Sequence, residues 1–565
     1  MGGAAGTLAT SLALGQTVLG GEGDQNQTGI SEQGLQIEQD LKNKIRETVL
    51  KRGPKQITGR QYDTYVYDDL VYQNEFLKMS TETPPLPEYE TSKALLPSPF
   101  WKGHDSAIAC YWKVWELAFK NLRRPTPESG FVANYIDTAF NDCIFMWDSA
   151  FILMFGRYGC RAFDFLRTLD CFYAKQHPDG FICREIGQVL GEDRFQRFDP
   201  TSTGPNVMGW TEWEYYLNFG DRQRLGRVFP VLCAYHHWLR AYRTWQDGSY
   251  WSSGWGSGMD NQPRFPLDLK DLYGQRIHEQ FSHGQLSWID ACLQQILSAR
   301  ILIAMSRELG RESEAADMVK ESELLTRHVN EKMWDESEGF YQDRRRDGTL
   351  NGMKSIGAYW ALLAEVVPDE RKEGFIAHLE NPAEFNRPHR VPTLSADHPD
   401  YKPDGGYWKG SVWPPTNYMV LRGLTKVGRD KLAHEIAMNH LKNVYEVFDE
   451  TGTVWENYAP ESASQGHARK DFVGWGGLPP TAVLLEYAFG LRPNVPEQTL
   501  LWDVRLLDAH GVQRYPYGET GLLDLECADR SKTTEKPRIT VRSNMDINLD
   551  LRWEGGREEI KVKGQ

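Results

Sequence analysis

QLSWIDACLQQILSARILIAMSREL, residues 285–309, decides the class of fold. Leu286, Ile289, Leu293, Ile296, Leu297, Ile301 and Met305 recur mostly three or four positions apart, which puts them on one face of a helix, and Gly310 follows as a C-cap. Working outward, the same spacing returns over 105–122, 148–157, 161–175, 210–218, 222–244, 312–333, 352–366, 371–379, 415–426, 430–448 and 479–489. Strand-like alternation is scarce between these stretches, and the loops joining them are rich in Gly, Trp, Asp and Pro. About a dozen helices in one region fit a closed ring of helical hairpins whose loops build a site at one end.

The flanks read differently. Residues 493–565 alternate apolar and polar positions and are broken by Gly and Asn, the pattern of a small β domain packed on the helical body at 104–492. Residues 60–103 carry five Pro among many Tyr and read as extended chain wrapping a neighbouring surface. Residues 1–59 read as a flexible segment with one short helix at Ile37–Leu50. Its opening MGGAAGTLATSLALGQTVLGG has no charge and is similar to the small-residue core of a twin-arginine export signal that lacks its basic front. Export is therefore favoured slightly over a cytoplasmic location, the competing reading being a plain disordered terminus.

Composition narrows the partners. Lys and Arg total 64 against 78 Asp and Glu, a net charge of −14 that argues against nucleic acid or an anionic membrane surface. No run approaches the roughly 18 apolar residues of a membrane span. The eight cysteines show no short metal-site spacing and read as mostly buried thiols. Nineteen Trp exceed what a core requires, and surplus indoles line partly wet binding sites.

Three loops combine an acid with Trp, Gly or Pro, and a fourth sets Lys among the same residues. FMWDSAF at 145–151 sets Asp148 beside Trp147 at a helix start, where capping is the bland alternative. GTVWENYAPES at 452–462 holds Glu456 between Trp455 and Asn457, a candidate base. GWGSGMDNQPRF at 254–265 carries Trp255 and Asp260, and GGYWKGSVWPPTNYM at 405–419 carries Trp408, Lys409 and Trp413. A sugar ring offers an apolar face to an indole and a rim of hydroxyls to acids, amides and cations, so such loops suit a saccharide. No Gly-rich phosphate loop, Ser-His-Asp set or metal cluster stands out, and neither cofactor nor catalytic metal is implied.

Together with DGFICREIGQVLGEDRF at 179–195, these motifs occur in the order and character of glycoside hydrolase family 63, which the chain resembles over roughly 140–480. The resemblance implies an (α/α)6 toroid, a six-hairpin barrel, and inversion at the anomeric carbon with Asp148 as general acid and Glu456 as general base. It further implies that Arg184 and Glu185 grip a hydroxyl network or form a structural salt bridge, that Asp260 binds two adjacent hydroxyls of the sugar beyond the cleaved bond, and that Trp408 and Trp413 form the walls around that sugar. Lys409 stands where Arg is expected, Ala459 where relatives tend to have Asp, and Ser462-Ala463 where Thr-Gly is usual. In an inverting pair the acid keeps its proton, so Trp147 and other aromatics should desolvate Asp148, while Glu456 should be hydrogen-bonded and ionised. The expected activity is exo-acting α-glycosidase action, glucosidase first, on a short oligosaccharide or small glycoside. Trehalase-like or mannosylglycerate-type hydrolysis and a non-catalytic sugar-binding toroid remain alternatives, and His283 with His467 keep a sugar epimerase open.

Overall fold

The computed structural model describes residues 68–266, 270 and 274–565. The uncharged opening, the Ile37–Leu50 helix and the start of the extended stretch lie outside the described residues.

Ten α-helices of seven or more residues follow in order among the described residues: α1 (Asp105–Lys120), α2 (Met146–Gly156), α3 (Arg167–Tyr173), α4 (Met208–Phe219), α5 (Arg222–Tyr242), α6 (Ile289–Leu309), α7 (Ala316–Lys332), α8 (Asp369–Ala377), α9 (Pro414–Lys426) and α10 (Asp430–Thr451). Helix α6 starts four residues later than its apolar pattern, because Gly284 and Gln285 both take positive φ. Asp343 then accepts the Ile289 N–H at 2.8 Å, and Gly310 at φ 71° ends the helix in the left-handed region that glycine enters freely. Helix α6 is long and apolar enough to cross a bilayer, but 78 % of its most apolar window is buried. It packs on α4, α5 and α7 as a core helix.

Two expected helices differ from the pattern. The stretch 352–366 forms only a 3-10 turn at Ile356–Tyr359 and one helical turn at Trp360–Leu363. The stretch 479–489 is a π-helix, Leu478–Ala488, buried along its length. Its Glu486 receives Arg157 at 2.5 Å and the hydroxyls of Tyr158 and Tyr418, while Arg157 also meets Glu214 at 3.1 Å. A buried ionic network of this kind is costly to break because each removed partner leaves a charge unpaired.

The β domain holds two four-stranded sheets. One runs β1 (Ser98–Trp101), β6 (His510–Tyr517), β7 (Gly521–Cys527), β8 (Ile539–Ser543), and the other β10 (Gly556–Val562), β9 (Ile547–Trp553), β5 (Thr499–Asp503), β4 (Leu491–Asn494), leaving β2 (Cys143–Phe145) and β3 (Glu185–Gly187) as a pair in the helical body. Strict alternation of burial along β7 is what the sequence pattern requires of a sheet with one face on a core. The edge strand β1, paired to β6 from Ser98↔Gln513 to Trp101↔His510, comes from the stretch read as an extended wrap. Among the described residues all eight cysteines are free, seven of them buried.

Candidate active site

Asp148 lies in the first turn of α2, held from below by the β2–β3 pair. Phe145 pairs with Glu185, and the Met146 N–H donates to the Arg184 carbonyl at 2.8 Å, so the backbone ties Arg184 and Glu185 to the start of α2. No side chain caps this helix, and Asp148 is 5 % exposed with its Oδ1 free of any protein hydrogen-bond partner. The carboxyl is therefore not used as a cap. Trp147 packs edge-on to Phe151 and against Trp360.

The loop 254–265 closes over this helix start. A Cβ at Gly254 would stand 2.2 Å from the Asp260 carbonyl, and one at Gly258, φ 74°, would stand 2.9 Å from Trp147 Nε1. Only glycine permits so close an approach. The loop is anchored beyond Asp260 by Arg264, which binds the buried Asp290 and Asp343 at the start of α6. Arg184 and Glu185 form an ion pair at 2.5 Å, and the Arg184 guanidinium also lies 4.7 Å over Phe195 and 5.4 Å over Trp255. Trp255 in turn meets Phe281 at 4.6 Å.

Asn261 joins this loop to the next. It donates to the Gly406 carbonyl at 3.2 Å and accepts the Trp408 N–H at 2.8 Å. Between those contacts Tyr407 is held at φ 66°, a conformation that costs a residue with a side chain about 1–2 kcal/mol. The result is a phenol whose hydroxyl donates to Glu456 Oε1 at 3.3 Å. Glu456 Oε2 accepts the Arg469 N–H at 3.1 Å, and its backbone carbonyl accepts Trp475 Nε1 at 2.7 Å.

Trp408 and Trp413 depart from the expected walls. Their rings stack on each other at 3.8 Å and 8°, and both are buried. A face covered by another indole is closed to a sugar, so the pair stiffens the loop behind Tyr407. Trp455 directs its Nε1 to Thr451 at 3.1 Å, and the buried Asn457 donates to the His467 carbonyl at 3.0 Å, so both polar groups hold the loop around Glu456. Lys409 is partly exposed, and its carbonyl accepts the Lys402 N–H at 2.9 Å.

Burial dominates the electrostatics. It raises Asp148 well above the usual carboxylate range, with the charges of Glu456 and then Glu185 adding to the effect against an opposing Arg184. Asp260 is pushed up to about 7, by burial first, against Arg184 and with Glu185. Glu456 also rises to about 7, because desolvation outweighs the Arg469 charge and N–H and the Tyr407 hydroxyl. That corrects the expectation of a fully ionised Glu456: its hydrogen bonds are present, but they do not replace the water it has lost. Tyr407 is raised well above its usual range, by burial first and then by the charges of Glu456, Asp260 and Asp148 against an opposing Arg469.

Tyr407, Arg469 and Asn261 escaped the sequence reading. The Gly405-Gly406 pair before Tyr407 was a usable signal for a forced backbone, whereas no local motif marks Arg469, whose N–H and charge both act on Glu456 from 13 positions further on. His283 sits between Trp245 and Trp251 with its Nδ1 accepting the Gln285 N–H at 2.9 Å, and the exposed His467 meets Asp404 at 3.1 Å. Neither is among the groups that perturb the carboxyls. Among the described residues no group of three or more His, Cys, Asp or Glu is arranged to hold a metal ion.

The family model described as the mannosylglycerate hydrolase MGH1-like glycoside hydrolase domain matches residues 143–473, a span that contains every one of these loops. The protein is thus a glycoside hydrolase. It belongs to the family of mannosylglycerate hydrolase MGH1-like glycoside hydrolase domains. Among curated relatives, a probable mannosyl-oligosaccharide glucosidase of Schizosaccharomyces pombe is 24 % identical over 59 % of this chain and 48 % of its own length. A mannosylglycerate hydrolase of Thermus thermophilus is 24 % identical over 52 % of this chain and 85 % of its own length. The crystal structure of a family 63 mannosylglycerate hydrolase from Thermus thermophilus in complex with glucose superposes with a TM-score of 0.51 at 21 % identity, covering 66 % of this chain and 99 % of that one. This likeness speaks for the fold.

Proposed function

We propose that the protein is an inverting, exo-acting α-glycosidase whose helical body closes as an (α/α)6 toroid, with Asp148 as general acid and Glu456 as general base. The observation that carries this reading is the pair of buried carboxyls, 308 positions apart in sequence, each pushed upward by burial, with the charge of Glu456 felt at Asp148. Asp148 keeps its proton near neutrality and gives it to the glycosidic oxygen as the bond to the anomeric carbon breaks. Glu456, once ionised, takes a proton from the water that attacks the opposite face, which inverts the configuration. Pairs of this kind stand about 6.5–9.5 Å apart to leave room for that water. Asp260 binds hydroxyls of the sugar beyond the cleaved bond, the Arg184–Glu185 pair grips a hydroxyl network, and Tyr407 orients Glu456.

Glucose is the first sugar to test and mannosylglycerate the second, the latter favoured by the family model over residues 143–473. The experiment is hydrolysis of α-glucosides, α-mannosides including mannosylglycerate, and α-galactosides, followed by NMR of the anomer before mutarotation. Release of the β-anomer, lost in both Asp148→Asn and Glu456→Gln with folding intact, is the expected result. Retention of configuration, or full activity in either variant, refutes the assignment.

A further inference from the structure

The motif WENYAPES, residues 455–462, carries a second carboxylate, Glu461, that the proposed chemistry leaves unused. Arg387 grips it with two bonds, Nε to Oε1 at 2.8 Å and Nη2 to Oε2 at 2.9 Å, and the Tyr401 hydroxyl donates to Oε1 at 2.6 Å. These partners, Arg387 first, hold the Glu461 carboxyl below its usual range. The two charged side chains are each 26 % exposed, so water screens their attraction. What the two-bond fork contributes is direction.

The partners of Glu461 stand on different segments. Arg387 lies in a stretch that is tied down on both sides. Arg387 itself also donates to the Pro382 carbonyl, while the buried Asn417 of α9 accepts the Val391 N–H and donates to the Val391 carbonyl, both at 3.1 Å. Between them the His389 N–H donates to the Pro460 carbonyl at 2.9 Å, immediately before Glu461. Tyr401 leans on the other loop. A Cβ at Gly410, φ 144°, would stand 2.9 Å from its ring. The neighbouring Lys402 donates its N–H to the Lys409 carbonyl at 2.9 Å and accepts the Gly405 N–H at 2.8 Å. The turn that carries Tyr407 is thus held against Tyr401, and Tyr401 against Glu461, five residues after Glu456.

The contact most sensitive to this register is the bond from Tyr407 to Glu456. At 3.3 Å it is longer than the usual O–H···O range of about 2.5–3.0 Å, so a further shift of a few tenths of an ångström would lose it. We infer that Glu461, gripped by Arg387 and Tyr401, is a positioning residue that sets the Tyr407 turn against the Glu456 loop and so keeps the phenol on the catalytic base. The inference rests on Glu456 being that base, and the three residues act through Tyr407.

Glu456 feels Arg469, Asp260 and the Tyr407 hydroxyl, and its charge is felt at Asp148, while Glu461 feels Arg387 and Tyr401. Tyr401→Phe and Arg387→Lys change no charge among these groups, so a moved titration of Glu456 reports position. The readout is ¹³C NMR of the full chain labelled at its glutamate carboxyl carbons, with the Glu456 signal identified by its loss in Glu456→Gln. The parent midpoint should lie at about 7. In each variant it should rise by about 0.5 pH unit, roughly a threefold gain in proton affinity, as the bond from Tyr407 weakens. In a Tyr407→Phe background neither substitution should move it further, because the bond they act through is already gone. A midpoint unmoved in both variants, whatever their melting temperatures, or a shift of the same size without the Tyr407 hydroxyl, overturns the inference. The titration needs no turnover, so failure of the glycosidase reading would show separately, as full activity in Glu456→Gln.

Discussion

Replacing Glu456 by Gln should make the protein more stable at alkaline pH while abolishing turnover. In the folded chain burial moves this carboxyl from its usual 4.5 to about 7. At about 1.36 kcal/mol for each tenfold change in proton affinity, the ionised form costs the fold on the order of 3 kcal/mol. The sign follows from the direction: the folded value is raised, so the penalty is absent below about 4.5, grows as pH rises towards 7, and is complete above it. Glutamine has no charge to desolvate. One of its two polar ends suits the Arg469 N–H and the other suits the Tyr407 hydroxyl less well, a loss of about 1 kcal/mol that leaves a net gain of about 2 kcal/mol at pH 9. Denaturant melts of both proteins at pH 5 and pH 9 measure this. Near pH 5 most of the advantage should be gone, and at pH 9 the variant should unfold at higher denaturant with an unchanged slope. A variant less stable than the parent at pH 9 would mean that the hydrogen bonds outweigh desolvation, and the account of the site's electrostatics would fail.

The pH profile of kcat/KM should be bell-shaped, rising through about 7 as Glu456 ionises and falling at higher pH as Asp148 loses its proton, a shape that rate measurements from pH 5 to 10 would show or exclude. Tyr407→Phe removes a hydroxyl that lowers the Glu456 value, so the acidic limb should move to higher pH and recover most of its rate there. A uniform loss of rate with no shift would assign Tyr407 another part. Trp408→Ala opens a cavity against Trp413 and should cost about 3–5 kcal/mol in a denaturant melt, loosening the loop behind Tyr407.

The sequence alone determined the helical body, the terminal β strands and the motifs that carry the carboxyls, because each is a local pattern. Apolar spacing reports which face of α6 is covered, and alternation reports the covered face of β7, whatever lies opposite. It also made Asp148 and Glu456 candidates, as acids set among Trp, Gly and Pro, but their roles as acid and base came only from the resemblance and stay a proposal. What it left undecided depended on contacts between distant segments. Trp408 and Trp413 sit five positions apart and look like two walls, yet the turn at Gly410 folds one ring onto the other. Ser98–Trp101 reads as wrapping chain, and only pairing with His510–Gln513 makes it a strand. Tyr407 becomes a partner of Glu456 only because Asn261, from a loop some 146 positions earlier, pins the backbone on either side of it. The protonation state of Glu456 was out of reach for the same reason: its hydrogen-bond partners are few and nameable, but the water it loses is removed by the whole fold.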